Sequence, residues 1–397
     1  MAKTLVYQLW PLAWDGGIIE MTEHLDRIKD LGATHVWISP LYESPMNDHG
    51  YDISDYRKID KRFGTMRQFN YFVKKAHKLG LKVLMDMVLN HTSTGHKWFT
   101  QNPEYYCWSE EPLEDWKSLF GGPAWKYDKI QEKYYCYLFH ETQADLDWFP
   151  DGNINSDLVR EFREIVKYWM DVHEVDGFLL DVPQGINKNF GEKELYLPDM
   201  LWGKQSISVI NAVFSGLPKK PFLMMECLDP TFGQIIEQYI KDTPVNYCLN
   251  IMVKEQRDIG LHEFFEAFYN SCKTPGYMLD LESHDSPRFT SRSGGMLGRQ
   301  VGHIMFSSKA NAICLYQGQE LGLKNPDDLT LDEMKSLDVQ SAIHLDEGAS
   351  EAEVRPTSRA NARIPLPIEE YDKQLKDRNS SLNWYKFYIE NWKKSRA

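Results

Sequence analysis

Residues 177–182 read Gly-Phe-Leu-Leu-Asp-Val, a short apolar run that meets a carboxylate at its end. A run this short and apolar on both alternating faces predicts a strand covered on each side, as in a parallel sheet. Working outward, similar runs recur at Leu5–Trp10, His35–Pro40, Lys82–Val88, Phe222–Cys227, Val245–Asn250, Tyr277–Leu281 and Ala312–Gln317. With Gly177–Asp181 they make eight strands.

Amphipathic helices fall between them. Leu25, Ile28 and Leu31 form a stripe that ends at Gly32, a residue able to stop a helix in the left-handed conformation. Phe69, Phe72, Val73, Ala76 and Leu79 repeat the arrangement before Gly80. Ser156 is expected to cap a third helix, with Val159, Phe162, Val166 and Trp169 on its buried face. Strands that alternate with helices pair in parallel through right-handed crossovers. The fold class is therefore α/β, and eight such units predict a (β/α)8 TIM barrel; an open doubly wound sheet is the alternative.

One connection breaks the rhythm. The stretch from His91 to Asp176 is far longer than an ordinary loop and carries many aromatic residues, among them Trp98, Tyr105, Trp116, Phe120, Trp125 and Phe139. It is expected to hold a subdomain over the barrel mouth at residues 92–150, with a barrel helix over 151–176. The catalytic barrel then comprises 1–91 and 177–397. Asn325–Pro367 is charged and strand-poor, an excursion after the eighth strand.

The bulk numbers narrow the partners. The 397 residues are 42% hydrophobic and 26% charged, as in an ordinary globular protein. A net charge of -13 argues against nucleic acid and against anionic membrane surfaces. No stretch approaches the roughly 20 apolar residues of a membrane span, and the start has no cleavable leader pattern. The six cysteines (Cys107, Cys136, Cys227, Cys248, Cys272 and Cys314) lack the paired spacing of zinc or redox motifs. A cytoplasmic protein with reduced, mostly buried thiols and no metal or other cofactor is expected.

Asp86, Asp181, Glu226 and Asp285 stand at or just beyond the ends of strands three, four, five and seven. In a barrel those ends converge on one mouth. Two carboxyl groups about 5–5.5 Å apart suit a retaining glycosidase, in which one attacks the anomeric carbon and the other protonates the departing oxygen. One acid at a strand end commonly caps the next helix; four at corresponding places point to chemistry. The loop Asp48-His49-Gly50-Tyr51-Asp52, His91 after strand three and His284 beside Asp285 add groups suited to sugar hydroxyls and ring faces.

On these residues the chain resembles the α-amylase superfamily, glycoside hydrolase family 13, and within it the oligo-1,6-glucosidase, isomaltase and sucrose isomerase branch. The likeness is carried by GYDISDYRKIDKRFGT at 50–65, DMVLNHTS at 86–93, QADLDW at 143–148, GFLLDV at 177–182, ESHDSPR at 282–288, YQGQELG at 316–322 and SRANARIP at 358–365. By position, the resemblance implies Asp181 as nucleophile, Glu226 as general acid/base and Asp285 as stabiliser of the transition state. It also implies Asp48, Tyr51, His91 and His284 around the non-reducing glucose, with Arg359 or Arg363 reaching the same sugar. Val182 matches the members that prefer α-1,6 linkages.

Four departures stand out. Leu179 occupies the position where the family has an arginine that holds the nucleophile, removing a charge-assisted hydrogen bond of about 1.5–3 kcal/mol. The sequence stops at the helix of Leu382–Ile389, so the family's C-terminal β-sandwich domain is expected to be absent. Trp14-Asp15-Gly16-Gly17 replaces the acidic calcium-type loop. Ala360 stands where the family has aspartate beside Arg359, and the segment from Asn361 to Gln374 is shortened, which would open the pocket. The implied function is a glycoside hydrolase, a retaining α-glucosidase for short α-glucosides, with α-1,6-linked oligosaccharides or disaccharides foremost. The alternatives are a catalytically impaired or inactive sugar-binding barrel, and a transglucosylase or isomerase.

Overall fold

The computed structural model describes residues 3–188, 190, 200–227, 246–252, 277–293, 297–308 and 310–395. Eight strands close into a parallel barrel: β1 (Thr4–Leu9), β2 (His35–Ile38), β3 (Lys82–Val88), β4 (Gly177–Asp181), β5 (Phe222–Cys227), β6 (Asn246–Met252), β7 (Tyr277–Asp280) and β8 (Ala312–Tyr316). Sequence neighbours pair in turn, and β8 returns to β1 with Thr4 opposite Ala312. The eight expected strands are these eight, each within a residue or two of its predicted ends, and the open-sheet alternative is excluded by closure. Val245, the predicted first residue of the sixth strand, lies outside the described residues, as does Cys272.

Alternation along each strand sorts the core into two parts. Val6, Trp37, Leu84, Leu179, Met224, Met278, Ala312 and Cys314 pack together as the filling of the barrel. Their neighbours, such as Leu5, Val83, Phe178, Leu180, Leu223 and Ile313, join the larger layer between strands and helices. Each fully buried leucine or methionine contributes about 1.5–3 kcal/mol relative to exposure, so the filled interior is a stabilising plug rather than a pore.

The helices α1 (Leu25–Leu31) and α2 (Met66–Lys78) end as expected, with Gly32 at φ 109° and Gly80 at φ 71°. The third helix, α3 (Ser156–Lys167), corrects two expectations. Asn155, not Ser156, is its cap, accepting from the N–H groups of Asp157 and Leu158. Its buried face is Leu158, Phe162, Ile165 and Val166, whereas Val159 is only half-buried. The Asn155 side-chain oxygen reaches both N–H groups of the first turn, while Phe162 and Val166 stay on the buried face as expected. Trp169 is buried one turn further on, within a π-helical segment at Tyr168–Val172.

Between β3 and α3 the chain forms an antiparallel pair, His91–Ser93 with Gln143–Asp145, and a three-stranded sheet from Trp108–Ser109, Trp125–Asp128 and Lys133–Cys136. The pair sets Asp145 opposite His91, directly above the end of β3. Cys107, Cys136 and Cys314 are free thiols and buried. Among the described residues no helix is long and apolar enough to cross a membrane.

Candidate active site

Asp181 is the last residue of β4, and Leu179, two positions below, faces the same barrel interior. Glu226 lies near the end of the neighbouring strand, and β4 and β5 are paired over Gly177–Leu180. The chain turns sharply after Asp181. Val182 adopts φ 35° and ψ 58°, a left-handed conformation that a β-branched residue rarely takes and that costs on the order of 1–3 kcal/mol. The turn aims the Val182 N–H at Glu226 Oε2, 3.2 Å away. Strain at this residue thus ties the backbone beside one carboxylate to the other.

The third carboxylate, Asp285, follows β7 by a tight turn in which its own N–H donates to Ser283 Oγ at 3.1 Å. Its side chain meets Arg363 Nη2 at 2.7 Å, His284 Nε2 at 2.9 Å and Arg359 Nη1 at 3.4 Å. Burial alone would raise its pKa, but His284 and the two guanidinium groups outweigh burial and hold it ionised, well below the usual carboxylate range. Asp181 is the opposite case. Burial first, then the charges of Glu226, Asp86, Asp285 and Asp48, push its pKa well up. Leu179 supplies no charge to offset them.

Asp86 sits within β3 rather than at its tip, level with Leu179 on β4, and is fully buried. Trp37 Nε1 donates to its Oδ2 at 2.9 Å, while Oδ1 is buried with no hydrogen-bond partner among the described residues. Burial, and behind it Glu226 and Asp285, raises its pKa strongly. Burial thus disfavours the charged form of Asp86, which sits below Asp181 as an enclosed acid rather than an exposed anion.

Around the carboxylates the polar groups form one connected set. His284 stacks on Trp10 (centroids 4.6 Å apart) and lies nearly parallel to Tyr51 (5.5 Å), which meets its edge through the hydroxyl. Gln8 Nε2 lies 2.7 Å from its Nδ1, and Tyr51 Oη lies 2.7 Å from its Nε2. With Gln8 donating, Nδ1 is the acceptor and Nε2–H faces Asp285. Arg363 packs its guanidinium 4.8 Å over Trp10 and also donates to the His284 carbonyl at 2.9 Å. Arg359 lies 4.8 Å over Phe120 and is gripped by Asp338 at 2.8 Å.

Asp48 completes the set. Its Oδ2 accepts from Gln143 Nε2 at 3.1 Å, and that same nitrogen is 3.1 Å from His91 Nε2. Its Oδ1 stands 3.6 Å from Arg359 Nη2, and both atoms are buried without a hydrogen-bond partner among the described residues. An acceptor and a donor placed side by side suit one ligand hydroxyl, which can donate to the first and accept from the second. Asp181, Glu226, Asp285, Asp48, Tyr51, His91, His284, Arg359 and Arg363 are thus brought to one mouth.

Sequence reasoning passed over Gln8, Gln143 and Asp338, which hold these groups in place. Gln143 opens the QADLDW stretch, so the motif marked its neighbourhood; nothing local marks Asp338, which comes from the long excursion after β8. Among the described residues no group of three or more histidine, cysteine or acidic side chains is arranged to hold a metal ion.

Comparison with known proteins gives a consistent reading. The family model for the alpha amylase catalytic domain matches residues 13–376. The glucan 1,6-alpha-glucosidase of Streptococcus pneumoniae is 30% identical over 93% of this chain and 75% of its own length. The oligo-1,6-glucosidase of Heyndrickxia coagulans is 29% identical over 92% of this chain and 76% of its own length. The crystal structure of Bacillus licheniformis trehalose-6-phosphate hydrolase superposes with a TM-score of 0.83 at 27% identity, covering 99% of this chain and 84% of that one. The chain therefore belongs to the alpha-amylase family, as a glycosidase-type enzyme built on the family's catalytic barrel.

Proposed function

We propose that this enzyme is a retaining α-glucosidase of short α-glucosides, α-1,6-linked ones foremost. The observation that carries the reading is the placement of Asp181 and Glu226 on adjacent paired strands, joined through the Val182 N–H, with Asp285 held ionised beside them. In the first step the ionised Asp181 carboxylate forms a bond to the anomeric carbon. The glycosidic C–O bond breaks, and Glu226 gives its proton to the departing oxygen. In the second, Glu226 takes a proton from water, whose oxygen displaces Asp181 and releases glucose. Asp285, with its negative charge fixed, favours the positive charge that builds on the sugar ring in both steps. The α-1,6 preference is supported by the names of the relatives and by Val182 after the nucleophile.

Leu179 favours a second reading, a sugar-binding barrel with little turnover, because Asp181 attacks only when ionised and its surroundings oppose ionisation. Incubation with isomaltose, p-nitrophenyl α-glucoside and trehalose 6-phosphate separates the two. Glucose release above that of an Asp181→Asn control supports the enzyme. Release equal to the control, with isomaltose binding measured by calorimetry, supports the binding barrel. Neither release nor binding overturns both.

A further inference from the structure

One ring in the loop after β2 stands outside the set of groups that face the carboxylates. His49 is 9% exposed and holds φ 53°, a left-handed conformation uncommon outside glycine. Asp52 fastens this turn. Its carboxylate accepts from Ser44 Oγ at 2.7 Å and from the Asn47 and Asp48 N–H groups at 3.0 and 3.3 Å. Asp48 meets Gln143 and Arg359, while the ring of His49, one residue on, reaches the excursion after β8.

Both ring nitrogens are engaged, each by a group with one role only. Arg363 Nη1 lies 3.2 Å from His49 Nδ1, and a guanidinium only donates. The Ser336 carbonyl lies 2.9 Å from Nε2, and a carbonyl only accepts. The two contacts together admit one state of the ring, neutral with its proton on Nε2. Burial, then the Arg363 charge, favours the same neutral state by lowering the pKa to about 4. Arg363 Nη1 donates also to the Leu337 carbonyl at 3.1 Å, Nε to the His284 carbonyl at 2.9 Å and Nη2 to Asp285 Oδ1 at 2.7 Å. A rigid planar fork held at Nη1 and Nε has a fixed direction at Nη2.

We propose that His49 is a positioning residue for the reaction: by accepting from Arg363 it sets the guanidinium plane that presents Nη2 to Asp285, and by donating to Ser336 it holds the excursion against the site. Three successive residues of that excursion dock in this way, Ser336 on His49, Leu337 on Arg363 and Asp338 on Arg359. The first two offer only backbone carbonyls, so their side chains do not enter. The catalytic part of this inference rests on the α-glucosidase reading; the hydrogen-bond arrangement does not.

The two bonds can be removed one at a time in the full chain. His49→Asn keeps an acceptor where Nδ1 stands and suits a left-handed backbone, but loses the reach to Ser336. His49→Gln keeps a donor near Nε2 but loses the acceptor, and His49→Phe loses both. On isomaltose, His49→Phe and His49→Gln should lower kcat by about tenfold or more, with a smaller change in KM, because Asp285 acts on charge that builds in the transition state. His49→Asn should recover kcat to within about threefold of the parent. With 15N-histidine and 15N-arginine labels, His49 should be protonated at Nε2. The Arg363 Nε–H signal, assigned by its loss in Arg363→Met, should shift in His49→Gln and stay near its parent position in His49→Asn. If His49→Phe fails to fold, the comparison of Gln with Asn decides. Equal losses in those two variants, a Gln variant as active as the parent, or His49 protonated at Nδ1 overturns the proposal. A parent with no turnover of isomaltose removes the α-glucosidase reading, and the tautomer and the Arg363 signal then decide the role of His49.

Discussion

The Arg363 guanidinium, wholly buried, lies 2.7 Å from the Asp285 carboxylate. It gives the third acid of the site what the first lacks, a fixed cation at hydrogen-bonding distance. Arg363→Met should therefore lower kcat/KM on the order of 10²–10³-fold, in the range of other losses of preorganised charge. It should also move the Asp285 pKa upward. A loss below about tenfold would show that Arg359 and His284 hold Asp285 without it.

The converse substitution is Leu179→Arg. A guanidinium there would face Asp86 and Asp181, whose pKa values are raised by burial and by one another. One charge-assisted bond is worth about 1.5–3 kcal/mol, so hydrolysis should rise by about tenfold to a hundredfold. On the proposed mechanism Asp181 works ionised, so the acid limb of the kcat/KM profile should move to lower pH as its pKa falls. Stopped assays from pH 4 to 9 on both proteins check this, and an unmoved limb would disconnect position 179 from Asp181.

Asp86→Asn should stabilise the protein above neutral pH. A carboxyl whose folded pKa is raised adds stability while protonated, present below its unfolded pKa, and loses it as pH rises through the folded value. The amide cannot ionise, so that loss disappears. Urea unfolding at pH 8 should show a gain of about 1–3 kcal/mol over the parent, and at pH 4 little difference. A less stable variant at pH 8 would mean that the charge of Asp86 has a partner in the fold.

Gln143→Leu should raise KM more than it lowers kcat. Gln143 spans Asp48 and His91 and touches none of the three carboxylates, so its loss loosens the hydroxyl-binding edge alone. An increase in KM of about tenfold with kcat within about threefold is expected for one charged hydrogen bond. Equal loss in both would place Gln143 in the reaction step.

Glu320 offers a pH test away from the site. Its Oε1 accepts from Tyr7 at 2.8 Å, and burial lifts its pKa to about 7 against the opposing Tyr7 bond. Its stabilising effect is full below the unfolded value and fades as pH rises toward 7. Tm should therefore fall from pH 5 to pH 8, and Glu320→Gln should lack this part of the fall, worth about 3 kcal/mol at most. Identical Tm profiles would refute it.

How much of this was legible in the sequence depended on how local the signal was. The eight strands could be read because residues such as Phe178, Leu179 and Leu180 are apolar on both faces, a pattern set by burial alone. The carboxylates could be read because strand ends mark the mouth. Gln8 and Gln143 could not be assigned roles, since a buried amide is indistinguishable by type from a solvated one. Their partners lie far along the chain, as Gln8 does from His284. The cap at Asn155 was missed for a smaller reason: Ser156 and Asn155 are both good caps, and only the backbone chooses between them.

His284 stacks on Trp10 and has both of its nitrogens engaged, Nδ1 by Gln8 and Nε2 by Tyr51. A ring so held has no rotamer to search when a ligand arrives, so the ordering entropy there is settled at folding. On the proposed α-glucosidase reading, selectivity among glucosides then falls to the residues around this floor. Substitutions along 92–150 and 325–367 should redirect linkage preference without disturbing the reacting end, which makes those segments the place to engineer new specificity.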